Sequence, residues 1–535
     1  MRDAGAVNPF EEAVVDVDRW RFAAPPEPML ESARYVDDSP WGELLAEHAA
    51  RDPQRLETTR AMHCAAREFA RFYVEHAAFP SVALRRALFE HCGSVVEAVA
   101  PYYLFGALEP EHDDAALLEA WRPQVHALLG GMRDPGLREL GIAFARDERK
   151  AVVVLVSGAR QAQIEPVSRV VGSDGTLVLR GRALVPADHI AAQINRGRFG
   201  YAPCDVDRGV RAPEFSVTCR LDPADRSARI DVSAHREGRI LGETLLAVEA
   251  RRDAQQLEYE RVAYADEALV ANQAELRSEL LELVNAVRGE AGLGPLTLSA
   301  AESATSDRLA PIYFKAMTDS SKEVEAEMVV LGLLAGWDVG APIRDAGFTS
   351  AAVGPTRDAS EWLAAVLAGP SGRSALLGPD ARVLALGTVV SDSPPVVAAV
   401  ATSYALFEGD DYAEIKRRVV EKITAARAAA GLPAPIVVAT LDGDAGALAA
   451  QVNAGALTPN QALGELLQVS ARVLGGPVRG LAFEAVDIEQ MQLPDVLSGP
   501  QRLELSITVT HYQPAAEPWG RYLVLLVIPG EGVRA

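Results

Sequence analysis

The sequence predicts α/β layered units in tandem, helices packed on hairpin-built sheets, interrupted by one all-β sandwich. Three observations predict it. The phrase "VNAVRGEAGLGPLTLS", Val284 to Ser299, returns as "ITAARAAAGLPAPIVV", Ile423 to Val438, and both copies carry R-x-x-A-G-L at the end of an apolar-periodic run. Three stretches of helical pattern each close on two apolar β runs joined by a polar turn, the mark of a hairpin. Between the first and second of them, short strand-like runs are separated by Gly, Asp and Pro.

The bulk numbers bound the reading. A chain of 535 residues is too long for one core and suggests three or four domains. With 49% apolar and 24% charged residues it is a globular chain. The net charge of −22 argues against nucleic acid or an anionic membrane as partner and favours cationic ones. No run of eighteen apolar residues is present, so no transmembrane segment is expected. The acidic start "MRDAGAVNPFEEAVVDVDRW" lacks a basic-then-apolar signal pattern, which leaves either a cytoplasmic protein or one whose signal was removed.

Residues 1–40, with "FAAPPEPML", read as an extended N-terminal segment. Helical patterns run from Trp41 to about Gly130, with Ala65, Phe69 and Phe72 or Tyr73 on one stripe. "LGIAFARDERKAVVVLVSG" then forms a hairpin around Arg146–Lys150, which closes unit one at 41–158. Over 159–256, "GTLVLRGRALV", "EFSVTCRLD", "ARIDVSAHREG" and "ETLLAVEA" are strands, with Ile230, Val232 and Ala234 on a buried face. Unit two, 268–408, opens on a helix with Leu276, Leu280, Val284 and Val287 on one stripe and Gly292 as its stop. Unit three, 409–533, repeats the plan with Ile415, Val419, Ile423 and Ala426 on one face and Gly431 as the stop. Trp121 precedes the unit-one hairpin as Trp362 precedes that of unit two.

The four cysteines form two close pairs, Cys64 with Cys92 and Cys204 with Cys219. The even count suggests two disulfides and an oxidising compartment, with four free thiols or a metal site as the alternatives. This tilts the localisation toward export.

Asn285, Arg288, Gly292, Leu293, Trp362, Pro370, Arg373, Leu376, Leu377, Pro379 and Gly387 give unit two a pattern that resembles the CAP superfamily, also called SCP-like: cysteine-rich secretory, antigen-five and pathogenesis-related proteins. Unit three matches at Arg427, Gly431 and Leu432 and in its last hairpin, and unit one only in its ending. The resemblance implies an α-β-α sandwich for each unit, an Ig-like fold for the all-β region, and a secreted or cell-envelope location, periplasmic included. The family's cleft holds two His and two carboxylates that can bind a metal. Here no histidine occurs between His235 and His511; "FKAMTDSSKE" and "GFTSAAVG" replace the family's His-bearing and G-E-N segments, and Gly372 replaces the His of S-P-G-H-R. Unit two therefore supplies no imidazole for a metal or a general base.

Candidates for a ligand-binding cleft lie in unit three: Glu484 and Asp487 in "FEAVDIEQ" and His511 in "VTHYQP", the last read either as inward-pointing or as a partly exposed strand end. Unit one carries His48, His63, His76, His91, His112 and His126. The pairs His63-Cys64 and His91-Cys92 raise a zinc idea, but neighbouring helical residues point about 100° apart and C-x2–4-C spacing is absent. A disulfide with bystander histidines is simpler, so no metal and no cofactor are expected. G-x-S-x-G and phosphate loops are missing, and His235 is read as a surface residue. The function expected is a non-catalytic exported scaffold that binds another envelope or extracellular protein or a surface polymer. The alternatives are a binder of a small apolar ligand such as a lipid or sterol, and a hydrolase.

Overall fold

The computed structural model describes all residues except 1–13, 16, 25, 32, 97–98, 108–112, 132–135, 238, 240, 254–257, 262, 318–321, 341–342, 393–394, 407–411, 486–487, 489–490, 495–496, 498–501, 513–520 and 531–535. The chain divides into two compact bodies: residues 1–293, 350–377 and 389–399, and residues 294–349, 378–388 and 400–535.

In chain order the first elements are α1 (Pro40–Ala49), β1 (Leu56–Thr58), α2 (Arg60–His76), α3 (Val82–His91), β2 (Val99–Ala107), α4 (Asp114–Gly131), β3 (Arg138–Arg146) and β4 (Lys150–Ala159). They build a sheet of order β1-β3-β4-β2, its first pair parallel and the others antiparallel. Val152, Val154 and Val156 of β4 join the core on the α2 side, and Ala151, Val153 and Leu155 the core formed with α1 and α4. Because helices cover both faces, β4 reads as a continuous apolar run rather than an alternating one. Gly141 is what lets α2 lie so close, since a Cβ there would sit 2.0 Å from the Met62 backbone. The helical pattern expected through Gly130 is interrupted by β2: Pro101 breaks the helix, and "YYLF" favours an edge strand.

Residues 162–251 form the all-β region. Its strands are β5 (Ala162–Ile164), β6 (Thr176–Ala183), β7 (His189–Arg196), β8 (Gly200–Pro203), β9 (Asp205–Val206), β10 (Glu214–Arg220), β11 (Ser227–His235) and β12 (Glu243–Arg251). They make two four-stranded antiparallel sheets, β9-β10-β6-β5 and β8-β7-β11-β12. Leu177, Leu179 and Val217 of one sheet and Ile230, Val232 and Val248 of the other share a core, so the region is a two-layer sandwich. The N-terminal segment runs extended over this body: Arg19–Arg21 pairs with Glu258–Glu260, and Met29–Leu30 with Val167–Ser168. Trp20, Phe22 and Leu30 are buried along it.

The remaining elements are α5 (Gln273–Glu290), β13 (Thr297–Leu298), α6 (Ala300–Met317), α7 (Glu323–Ala335), β14 (Ile343–Val353), α8 (Ala359–Leu367), α9 (Pro370–Leu376), β15 (Val383–Asp392) and β16 (Pro395–Leu406), then α10 (Ala413–Ala429), β17 (Ile436–Val437), α11 (Asp442–Asn453), α12 (Pro459–Leu474), β18 (Val478–Ala485), β19 (Glu504–Tyr512) and β20 (Arg521–Pro529). They give two further sheets, β13-β15-β16-β14 and β17-β19-β20-β18. Each, like the first sheet, takes its strands in the order first, third, fourth, second, with a short parallel strand at one edge. In the last sheet one face packs on α10 through Ile415, Val419 and Ile423, and the other on α11 and α12 through Leu448 and Leu466.

The repeated phrase has a common geometry. Gly292 and Gly431 both adopt the left-handed conformation, at φ 73° and 72°. Leu293 N–H donates to Arg288 O and Leu432 N–H to Arg427 O, each at 2.8 Å, which is a Schellman closure in both cases. The arginine of the phrase turns inward each time. Arg288 donates to Leu376 O at 2.7 Å, and Arg427 to Pro433 O and Leu497 O at 2.7 Å. The face expected to continue through Ala426 therefore runs through Arg427, because only the longer side chain reaches those buried carbonyls while Ala426 stays half-exposed.

Candidate functional site

Two residues of the cleft expected within 409–533, His511 and Glu484, do not share a face of the sheet. Cross-strand partners share a face, and the register pairs His511 with Tyr522 but Glu484 with Leu523. Tyr522 and Leu523 are neighbours on β20, so His511 and Glu484 lie on opposite faces of one sheet. Glu484 forms an ion pair with Arg521 at 3.1 Å. Asp487 lies outside the described residues. His511 is 7% exposed, which settles its orientation as inward, and its ring packs against Trp337, Tyr412 and Tyr522. Burial pulls its pKa down to about 4, so the imidazole is neutral at pH 7.

The histidines near the first sheet are mostly structural. Cys64–Cys92 and Cys204–Cys219 are both disulfides, which removes the thiolates a zinc site at His63-Cys64 and His91-Cys92 would need. His63 is buried with Nδ1 3.0 Å from Ile142 O. His91 stacks on Phe22 and bonds through Nε2 to Ala24 O at 2.9 Å. Burial first, with Arg169 and Arg251 adding to it, lowers the His91 pKa to about 4. His48 and His126 face one another across α1 and α4, ring centroids 5.9 Å apart. His76 packs against Trp20 and Phe72, while His112 lies outside the described residues. Among the described residues, no group of three or more His, Cys, Asp or Glu side chains is placed to hold a metal ion.

Gly372, where the CAP resemblance implies a His, has no room for a side chain, since a Cβ there would lie 2.0 Å from Val366 O. Its neighbour Arg373 is held by main chain, donating to Leu367 O, Gly197 O and Gly200 O at 2.8, 3.0 and 2.9 Å, and its Nη2 lies 3.4 Å from the Tyr264 hydroxyl.

The sequence reading missed a different site in the first body. Strand β11 alternates as expected, with Ile230, Val232 and Ala234 inward, but its other face is not free surface. Arg229 and Asp231 there, and Glu249 and Arg251 on β12, have side chains only 12%, 16%, 13% and 6% exposed. Register places Arg229 opposite Glu249 and Ser227 opposite Arg251. The polar face and helices α3, α8 and α9 line a half-open cavity of about 460 Å³. Arg229 pairs with Asp231 at 2.8 Å and Glu90 at 3.6 Å, and Arg251 with Glu249 at 2.9 Å. Burial, then the nearby Glu249, pushes the Glu90 carboxyl up from its ordinary value. Arg169, 1% exposed, donates to Glu90 O and, at 3.3 Å, to His91 O. The one available signal was charge on both sides of apolar positions, "ARIDV" and "AVEARR", which is also the signature of a solvated face. His235, on the same polar face, is likewise half-buried rather than exposed, because its ring stacks on His189 of the adjacent strand.

No family model matches this chain, and no curated protein matches it. Solved structures with local similarity include a cysteine-rich secretory protein from Staphylococcus aureus, 14% identical with a TM-score of 0.19 over 42% of this chain. The match spans 63% of the staphylococcal chain, less than two thirds of its length. Another is an extracellular protein containing an SCP domain from Bacillus anthracis, 12% identical with a TM-score of 0.17, over 45% of this chain and 84% of that one.

Proposed function

We propose that this chain is a non-catalytic exported scaffold of three CAP-like α/β units, 41–158, 268–408 and 409–533, with an Ig-like sandwich at 159–256, and that it binds another envelope or extracellular protein or a surface polymer. The observation that carries the reading is what the repeat preserves. The shared strand order and the twice-used arginine cap are packing devices, and Arg288 and Arg427 spend their charge on buried carbonyls. The His that the resemblance implies is replaced by Gly372, whose surroundings exclude any side chain. Two disulfides fit assembly in an oxidising compartment, and no helix among the described residues is long and apolar enough to cross a membrane.

The test is affinity capture of the tagged protein from its native envelope fraction, followed by reconstitution with the purified captured component. Saturable binding at fixed stoichiometry, without turnover, supports the scaffold. Recovery of lipid alone would replace it with the apolar-ligand reading. Hydrolysis of a generic ester or peptide that His511→Ala abolishes would make the protein an enzyme.

A further inference from the structure

We propose that the cavity between the outer face of β11–β12 and helices α3, α8 and α9 binds a small oxyanion, a phosphate or carboxylate group either free or carried on a sugar. This does not depend on the scaffold reading. Five arginines line the cavity against four glutamates, in a chain whose net charge is −22. Two of the acids, Glu258 and Glu260, are exposed at the rim, where water screens them.

At the inner wall Arg229 is held by Asp231 and Glu90 and Arg251 by Glu249, while Arg86 and Arg373 donate to main-chain carbonyls. Arg373 is oriented by Leu367, Gly197 and Gly200 carbonyls, and Arg169 behind the wall by those of Glu90 and His91. A carbonyl aims a guanidinium without cancelling its charge, whereas a carboxylate would do both. Burial brings Arg169 down to about 10 against the opposing pull of Glu249, and Arg169 and Arg251 add to the burial that holds His91 neutral. At the wall Asn195, 6% exposed, donates to Ala368 O at 2.7 Å and leaves its Oδ1 without a partner, a polar atom that a bound hydroxyl or water can satisfy. The acidic exterior repels polyanions such as nucleic acid, so size as well as charge selects the ligand.

The experiment is calorimetric titration of the full chain with inorganic phosphate at constant ionic strength, with sodium chloride as control. A glucuronate arm separates a sugar-borne carboxylate from phosphate. Saturable one-site binding of either is expected. Arg198→Gln, at a side chain 49% exposed and so tolerant of change, should weaken it about tenfold, and Glu90→Gln should tighten it severalfold. No saturable heat with either anion would overturn the proposal, as would equal affinity in wild type and Arg198→Gln. Should Glu90→Gln fail to fold, the wild-type and Arg198→Gln titrations decide the matter by themselves.

Discussion

Arg288 donates from Nη1 to the carbonyl of Leu376 at 2.7 Å, with the arginine fully buried, and Arg427 repeats the contact on Leu497 at the same distance. Removing the guanidinium leaves a buried carbonyl without its donor and opens a hole. Arg288→Ala and Arg427→Ala should each lower unfolding free energy by about 3 kcal/mol, read as a shift in the urea midpoint. Arg288→Lys, which keeps charge but not the fork geometry, should recover only part of that.

Gly372→Ala should cost about 2 kcal/mol, because its Cβ meets the Val366 carbonyl at 2.0 Å and the backbone must shift. Gly372→His, which restores the residue of the family pattern, should be worse and should not confer zinc binding, since no second imidazole is present between His235 and His511. Thermal melts with and without zinc check both.

Glu302 is 1% exposed and accepts from Asp338 N–H at 2.7 Å; burial, with Asp338 nearby, pushes its pKa up to about 7 from the ordinary 4.5. The folded state therefore holds a proton that the unfolded state has released. That contribution is complete below pH 4.5 and is lost as pH rises through about 7, at roughly 1.4 kcal/mol per pH unit. Glu302→Gln should flatten this decline, measured as urea midpoints at pH 5 and pH 8.

His511 works in the opposite sense. Its folded pKa of about 4 lies below the ordinary 6.5, so its contribution is present above 6.5 and is lost as pH falls through about 4. His511→Phe should remove that part of the acid loss while keeping the ring contacts with Trp337 and Tyr522. The His511 ring-proton resonances of the wild type should titrate only well below pH 6.

Reduction of the disulfides should destabilise the first body. Cys64–Cys92 closes a loop of 28 residues and Cys204–Cys219 one of 15, so each should contribute about 3 kcal/mol by restricting the unfolded chain. Melting temperatures of the Cys64→Ser/Cys92→Ser and Cys204→Ser/Cys219→Ser pairs read this directly.

The sequence by itself determined the local devices. Glycine at 292 and 431 stops helices because only it adopts the left-handed turn cheaply, and the apolar stripes at Leu276, Leu280 and Val284 name their own buried face. Cysteine spacing pointed to the pairs that bond. The tertiary structure decided the rest. Strand β2 was hidden inside a helical stretch because an edge strand gains most of its stability from its neighbour, which the local pattern does not contain. Glu484 and His511 looked like partners because both lie near strand ends of one hairpin-built sheet. One residue of register along β20 put them on opposite faces. The polar faces of β11 and β12 read as solvated because charge alternation is the same whether water or a helix lies beyond it. Only packing places helices over Arg229 and Arg251, and that cover, not the residue pattern, turns a charged strand face into a cavity.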